Sequence, residues 1–268
     1  MWDPGQYRKF GGERSRPFYD LIAQIAAADP RFVADIGCGP GELTADLCRR
    51  WPGADVLGVD SSAEMIAAAN DVLAGLAESG AEAQRLRFEL KDARDWQPGR
   101  PADVIVSNAL LQWIPEHEQL VTRWAEQLAG GGWLAFQLPG NFDQPTHRLL
   151  RELAGSPRWR ALLADVELNR QATDPKEYLD LLAGQGCVVN AWETTYLHVL
   201  TGDDPVLQWF KGTGLRPVIA ALDPDQAADF LSELGAQLRE AYPREPYGTV
   251  LPFRRVFVVA RAARTRAS

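Results

Sequence analysis

Twelve consecutive residues, Val33-Ala34-Asp35-Ile36-Gly37-Cys38-Gly39-Pro40-Gly41-Glu42-Leu43-Thr44, run from an apolar stretch through three alternating glycines into a helical pattern. Gly37 and Gly39 permit positive φ and let a ligand lie against bare backbone, while Gly41 lets helix and strand approach closely. Asp60 closes the next apolar run, nineteen residues after Gly41, where a carboxylate can accept two hydrogen bonds from a ribose diol. The chemistry expected is the holding of a nucleoside-bearing cofactor. Its spacing is G-x-G-x-G, not the G-x-G-x-x-G of a dinucleotide site, and Asp35 would sit close enough to repel a pyrophosphate. The same carboxylate would attract an ammonium. S-adenosylmethionine carries an ammonium and no phosphate, so it is the cofactor expected.

The elements that must position these residues alternate from Phe32 onward in the manner of a parallel α/β sheet. Strands are expected over 32–36, 54–60, 86–90, 102–108 and 133–138, and helices over 41–50, 62–77 and 116–128, the last ended by Gly130-Gly131-Gly132. Ser61 and Ser62 precede Glu64 as a helix start. Beyond Pro139 the pattern becomes helical segments punctuated by Pro145, Pro157 and Pro175. A strand over 193–200, helices over 205–211 and 224–242, and a final strand over 254–260 complete the series. The expectation is a single domain, 1–268, with a helical cap inserted at 143–192 that roofs the acceptor pocket. Arg14 and Arg16 are placed ahead of the first long helix, and residues 261–268 are read as a solvated tail.

Composition removes several classes of partner. Twenty-eight basic against 36 acidic residues give a net charge of −8, unlike a chain that lives on nucleic acid phosphate. No apolar run approaches the roughly 20 residues of a bilayer-spanning helix, and the opening residues lack a secretory signal, so a cytoplasmic location is expected. Cys38, Cys48 and Cys187 show no C-x-x-C pairing, and His117, His147 and His198 are scattered, so neither disulfides nor a metal is expected. No obligatory protein partner is evident. A small molecule is the expected partner.

Asp35-Ile36-Gly37-Cys38-Gly39-Pro40-Gly41, with Asp60 and Lys91-Asp92-Ala93, resembles the class I S-adenosylmethionine-dependent methyltransferases over about the first half of the chain. The resemblance implies a Rossmann-like, mostly parallel seven-stranded sheet with helices on both faces. It also implies that Asp35, Gly37, Cys38, Gly39 and Gly41 hold the amino-acid end of the cofactor. Asp60 and Ser61 would meet its ribose, Met65 one face of the adenine, Asp92 and Ala93 the adenine amino edge, and Asn108 the methionine portion.

Five further segments carry the likeness over nearly the full length: Trp2-Asp3-Pro4-Gly5-Gln6-Tyr7, Glu13-Arg14-Ser15-Arg16-Pro17, Asn108-Ala109-Leu110-Leu111-Gln112-Trp113, Gln137-Leu138-Pro139-Gly140-Asn141, and Trp209-Phe210-Lys211-Gly212-Thr213-Gly214-Leu215-Arg216-Pro217. They are similar to the branch of that family that methylates a carboxylate of trans-aconitate. The implied products are a monomethyl ester and S-adenosylhomocysteine. A carboxylate is already ionised at neutral pH and needs no general base, so no catalytic residue is assigned. Arginines pair with carboxylates in two-point geometry, which makes Arg216, Arg14 and Arg16, with Lys211 behind them, the substrate-binding candidates. Gln112 and Trp113 follow the fourth strand as a substrate wall, and Tyr7 folds over the site. Two rivals stand beside this reading: methylation of a hydroxyl or amine on another small molecule, and a non-catalytic cofactor-binding regulator.

Overall fold

Apolar runs too short for helices and buried on both faces pair here into one sheet. The computed structural model describes residues 11–77, 81–168 and 174–263. In chain order the elements are α1 (Gly11–Ala23), β1 (Phe32–Ile36), α2 (Glu42–Arg50), β2 (Asp55–Asp60), α3 (Ala63–Ala77), β3 (Leu86–Leu90), β4 (Ala102–Asn108), α4 (His117–Glu126) and β5 (Leu128–Pro139). They continue with α5 (Pro145–Ala154), α6 (Pro175–Gly184), β6 (Val188–Leu200), α7 (Pro205–Lys211), α8 (Arg216–Ala221), α9 (Pro224–Ala241), β7 (Arg244–Glu245) and β8 (Gly248–Arg261). The strand order is β3-β2-β1-β4-β5-β8-β6, with the two-residue β7 paired to β8. β1 to β5 pair in parallel and β8 runs antiparallel to both its neighbours. This is the mostly parallel seven-stranded sheet expected, with β7 as a short appendage.

Both faces are covered, as a parallel sheet requires. Val33, Val56, Val104, Phe257 and Val259 pack against α1 and α2, while Ile36, Ile105, Phe136, Val256 and Val258 pack against Trp124 of α4 and Tyr178 of α6. A third apolar cluster lies apart from these two. It joins Leu150 and Leu153 of α5, Trp159, Leu163, α7 to α9, and Leu200, Leu251 and Phe253 at the outer ends of β6 and β8. β5 pairs with β8 only as far as Pro139 and Arg255, whereas β6 follows β8 out to Leu200 and Thr249. The β6–β8 ribbon therefore projects past the sheet and carries the helices inserted within it. Among the described residues no helix is long and apolar enough to cross a membrane.

Several expectations are corrected here. Residues 143–192 do not form one cap: α6 packs through Tyr178 and Leu182 onto the sheet, and β6 begins at Val188. The projecting helical unit is instead α5 together with α7 to α9. The glycines 130–132 do not end α4. They form an irregularity within β5, where Gly131 has φ 83° and a Cβ on Gly132 would lie 2.8 Å from the Ala102 carbonyl oxygen. Arg14 and Arg16 lie within α1, which runs through Pro17 and forgoes the one hydrogen bond that proline cannot donate. Arg216, expected on a loop, opens the six-residue α8 with Pro217 in its first turn.

Candidate active site

The glycine loop leaves β1 at the point where the strand order reverses, between β2 on one side and β4 on the other, which is where open α/β sheets bind ligands. Gly37, Gly39 and Gly41 have φ of 81°, 56° and 85°. A Cβ on Gly37 would lie 2.9 Å from that of Leu110, and one on Gly41 2.8 Å from that of Ala69 and 2.7 Å from the Phe88 ring. Both conformation and space demand glycine at these two positions. The N–H groups of Gly37 and Cys38 donate to the Val59 carbonyl, at 2.8 and 3.0 Å, and tie the loop to β2. Asp60, ending β2, accepts from the Gly39 N–H at 3.0 Å and from the Ser62 N–H at 2.9 Å. These bonds aim its carboxylate at the loop.

Asp35 is 2% exposed. Thr44 Oγ1 donates to its Oδ2 at 2.6 Å, while Oδ1 has no hydrogen-bond partner among the described residues. Burial, reinforced by the negative charge of Asp60 and opposed by the Thr44 hydroxyl, raises the Asp35 carboxyl to about 7. A buried carboxylate with an unused oxygen beside a bare glycine loop fits a cationic ligand group. The ammonium end of S-adenosylmethionine is such a group.

A cleft of about 420 Å³ opens in front of the loop. Gly37, Gly39, Asp60, Ser61, Met65, Asn108, Gln112, Trp113 and Arg216 line it, so these nine candidates are brought together. The backbone turns sharply after β4: Ala109 holds φ 55°, and Gln112 Nε2 donates to its carbonyl at 2.6 Å. Such strain at a strand end is a mark of ligand sites.

Other candidates stand elsewhere. Cys38 is buried, its Sγ reaching the Gly39 carbonyl at 3.6 Å, and burial raises its thiol. Gly41 acts through packing behind the loop. Asp92 accepts from Nε and Nη2 of Arg94, at 2.9 and 2.6 Å, bonds that hold its carboxyl below the usual range. Ala93 lies in the core beneath the sheet. Lys211 ends α7 without lining the cleft. Arg16 turns to Asp20, at 3.7 Å, and lies over the Tyr196 ring. Tyr7 and the Arg14 side chain fall outside the described residues. His117 and His198 are structural: His117 bonds Tyr178 at 2.6 Å, and His198 stacks on Trp209.

The far wall of the cleft adds residues that are not among the candidates above: Asn141, Thr146, His147, Phe210, Phe253 and Arg255. His147 is wedged edge-on between Phe142 and Phe210, and Gly214 meets Phe210 so closely that a Cβ would fall 2.2 Å from its ring. Arg255 is 5% exposed. Its position was legible in one respect. Leu251, Phe253, Arg255 and Phe257 share one phase of β8 and all are buried, so the arginine occupies an inward position in an apolar alternation. Formally charged lining residues are Asp60 at the loop end, and Arg216 and Arg255 at the cap end.

A methyltransferase-domain family model matches residues 33–132. The chain is 51% identical over 262 residues to trans-aconitate 2-methyltransferase of Streptomyces avermitilis, covering 97% of this chain and 96% of that one. It is 50% identical over 263 residues to the Rhodococcus jostii protein of the same name, covering 97% and 99%. The fold is that of phosphoethanolamine N-methyltransferase 2 of Haemonchus contortus in complex with S-adenosyl-L-methionine, with a TM-score of 0.52 at 16% identity, over 92% of this chain and 52% of that one. Sheet order, glycine loop and strand-terminal acid together are those of a class I S-adenosylmethionine-dependent methyltransferase. Within that class, identity over nearly the whole length decides the branch: the chain belongs to the trans-aconitate 2-methyltransferase family.

Proposed function

We propose that this protein transfers the methyl group of S-adenosylmethionine to a carboxylate of trans-aconitate, releasing the monomethyl ester and S-adenosylhomocysteine. The observation that carries the reading is the segregation of charge across one cleft, with Asp60 lining the loop end, the buried Asp35 behind that loop, and Arg216 and Arg255 lining the cap end. A cationic methyl donor and an anionic acceptor would each meet complementary charge and approach one another in the middle.

In this reading Asp35 takes the donor's ammonium through its unused Oδ1, with Gly37, Cys38 and Gly39 as the backbone cradle beside it. Asp60 and Ser61 take the ribose, and Met65 takes one face of the adenine. When bound, the sulfonium supplies an activated methyl. Asn108 and the strained turn at Ala109 would hold the methionine portion of the cofactor. Arg216 and Arg255 hold the acceptor, while Trp113, Phe210 and Phe253 exclude water. The acceptor oxygen is already anionic, so the chain's contribution is alignment and desolvation in place of proton removal. The projecting unit of α5 and α7 to α9 is the roof of the acceptor half. The protein's location is the cytoplasm, where a chain with no C-x-x-C pairing of its cysteines is at home.

The test is incubation of the protein with S-adenosylmethionine and a panel of di- and tricarboxylates, with mass spectrometry for S-adenosylhomocysteine and the ester. Ester formation from trans-aconitate is expected. Cofactor binding without turnover of any acid in the panel would overturn the reading.

A further inference from the structure

A row of polar side chains, Asn108 half-buried and Gln137 and Arg255 buried, crosses three adjacent strands at the edge where the sheet meets the projecting helices. Asn108 ends β4, Gln137 lies beside it on β5, and Arg255 stands on β8 at its last pair with β5. Gln137 is 1% exposed. Its Nε2 donates to Asn108 Oδ1, and its Oε1 accepts from Arg255 Nη1 at 3.0 Å. The amide is thereby fixed in one orientation: a donor at one end requires Asn108 as acceptor, and the acceptor at the other end receives the guanidinium. Arg255 also lies over the Phe253 ring, 4.7 Å from its centroid, so its plane is held by a stack as well as by a bond.

Neighbouring positions show how unusual this is. Arg254, one residue earlier, faces the other way, with Nε and Nη2 on Glu193 and Nη1 on the Gly140 carbonyl at 2.8 Å. It ties strands together. Arg255 instead lines the cleft. Gln112, Asn141 and Thr146 line the same cleft, and Gln112 Oε1, Asn141 Oδ1 and Thr146 Oγ1 are buried without a hydrogen-bond partner among the described residues. A guanidinium and an amide on strands otherwise filled by valine and phenylalanine put a fixed cation and its hydrogen-bonded support at the cleft wall.

From this row we propose that Arg255 is the acceptor-selecting residue, taking one carboxylate of the acid in two-point geometry. Gln137 and Asn108 are positioning residues that fix this carboxylate relative to the methyl donor. The inference rests on the carboxylate-methylation reading and deepens it. Arg216, at the start of a short helix on the cap, would be the looser second contact. Because Arg255 is anchored to the sheet that also carries the donor loop, it would govern alignment as well as affinity.

The experiment pairs charge deletion in the protein with charge deletion in the acid. Itaconate, mesaconate and cis-glutaconate are each trans-aconitate short of one carboxylate. Wild type, Arg255→Gln and Arg255→Lys are compared for turnover of all four acids, for binding of all four to the complex with S-adenosylhomocysteine, and for cofactor affinity and thermal midpoint. Arg255→Gln is expected to lower kcat/KM for trans-aconitate about 100-fold. The penalty should shrink below about fivefold with the one dicarboxylate that lacks the paired group, since that pairing is then already absent. Arg255→Lys keeps the charge, loses the fork, and should fall about tenfold; it also serves if the glutamine variant does not fold. Gln137→Met should lower kcat for trans-aconitate by a larger factor than it raises KM.

Equal losses with all four acids, or a cofactor affinity that moves as much as the acceptor KM, would overturn the assignment. So would an Arg255→Lys protein indistinguishable from wild type. If wild type turns over no acid yet binds trans-aconitate, the methyl-transfer reading falls and Arg255 is judged on binding alone. If wild type neither binds nor methylates any of the four, both fall.

Discussion

The two ends of the cleft are built in different ways. The loop end comes from a few short stretches of chain: Asp35 through Thr44, with Asp60 to Met65 beside it. Its geometry is set by local backbone, in three left-handed glycines and N–H groups that tie to Val59 and Asp60. The cap end draws on β4, β5, β8, α5, α7 and α8, so its polar groups meet only across strand register and helix packing. A cofactor common to many reactions can be met by a self-contained local device. An acceptor peculiar to one reaction needs groups brought from separate parts of the chain, and there the projecting ribbon supplies a wall that the sheet lacks.

If the two ends are independent, perturbing one should leave the other's ligand untouched. The largest effect expected is that of pH on the loop end. Because burial raises the Asp35 carboxyl to about 7, the free protein below that pH holds a proton that a cationic ligand must displace. Cofactor affinity should therefore fall by up to about tenfold per unit from pH 7 to 5, with proton release on binding. Calorimetry in buffers of different ionisation enthalpy measures both. Asp35→Asn should bind weakly and flatten the profile; an unchanged slope would remove Asp35 from the ammonium. The same shift acts on folding in the opposite sense to most carboxylates. The folded, ligand-free protein keeps a proton that the unfolded chain releases near 3.8, so this contribution to stability is present at low pH and lost as pH rises through about 7.

Next in size is Asp60→Ala, expected to weaken cofactor binding by about 1 to 3 kcal/mol while leaving the acceptor KM within about twofold of wild type. Equal changes in both would show the ends to be coupled. Arg216→Ala reverses the test, with the acceptor KM raised about tenfold and cofactor affinity unchanged. The smallest effect is that of Gly214→Ala. Its Cβ must push the Phe210 ring from 2.2 Å and should raise the acceptor KM about threefold, again without effect on the cofactor. A cofactor defect in either cap variant would break the division.

How much could be read in advance follows the same line. The first five strands and the glycine loop were legible because each is a contiguous run whose period and turn chemistry are local. The cap was misdrawn because helical periodicity alone does not say what a helix covers. The Tyr178 face of α6 looks like any amphipathic helix, and only packing shows that it lies on the sheet. Among the cations, Arg216 is legible through the segment that contains it, whereas Arg14 and Arg16, expected ahead of the first long helix, lie within it because α1 runs on through Pro17. Arg255 is not legible in the expected strand 254–260, because the phase that marks it as inward is set by Leu251 and Phe253 in the earlier part of β8.

The sequence by itself determined the donor side of this protein: a glycine turn of one conformation, a buried carboxylate and a strand-terminal acid, all within reach of local backbone. Only the tertiary structure decided the acceptor side. Asn108, Gln137 and Arg255 are separated by 29 and 118 positions in the chain, and become one hydrogen-bonded row because β4, β5 and β8 are neighbours in a sheet order that no local pattern encodes. Side-chain direction in a strand alternates with every residue, so register alone turns Arg254 toward Glu193 and Arg255 into the cleft.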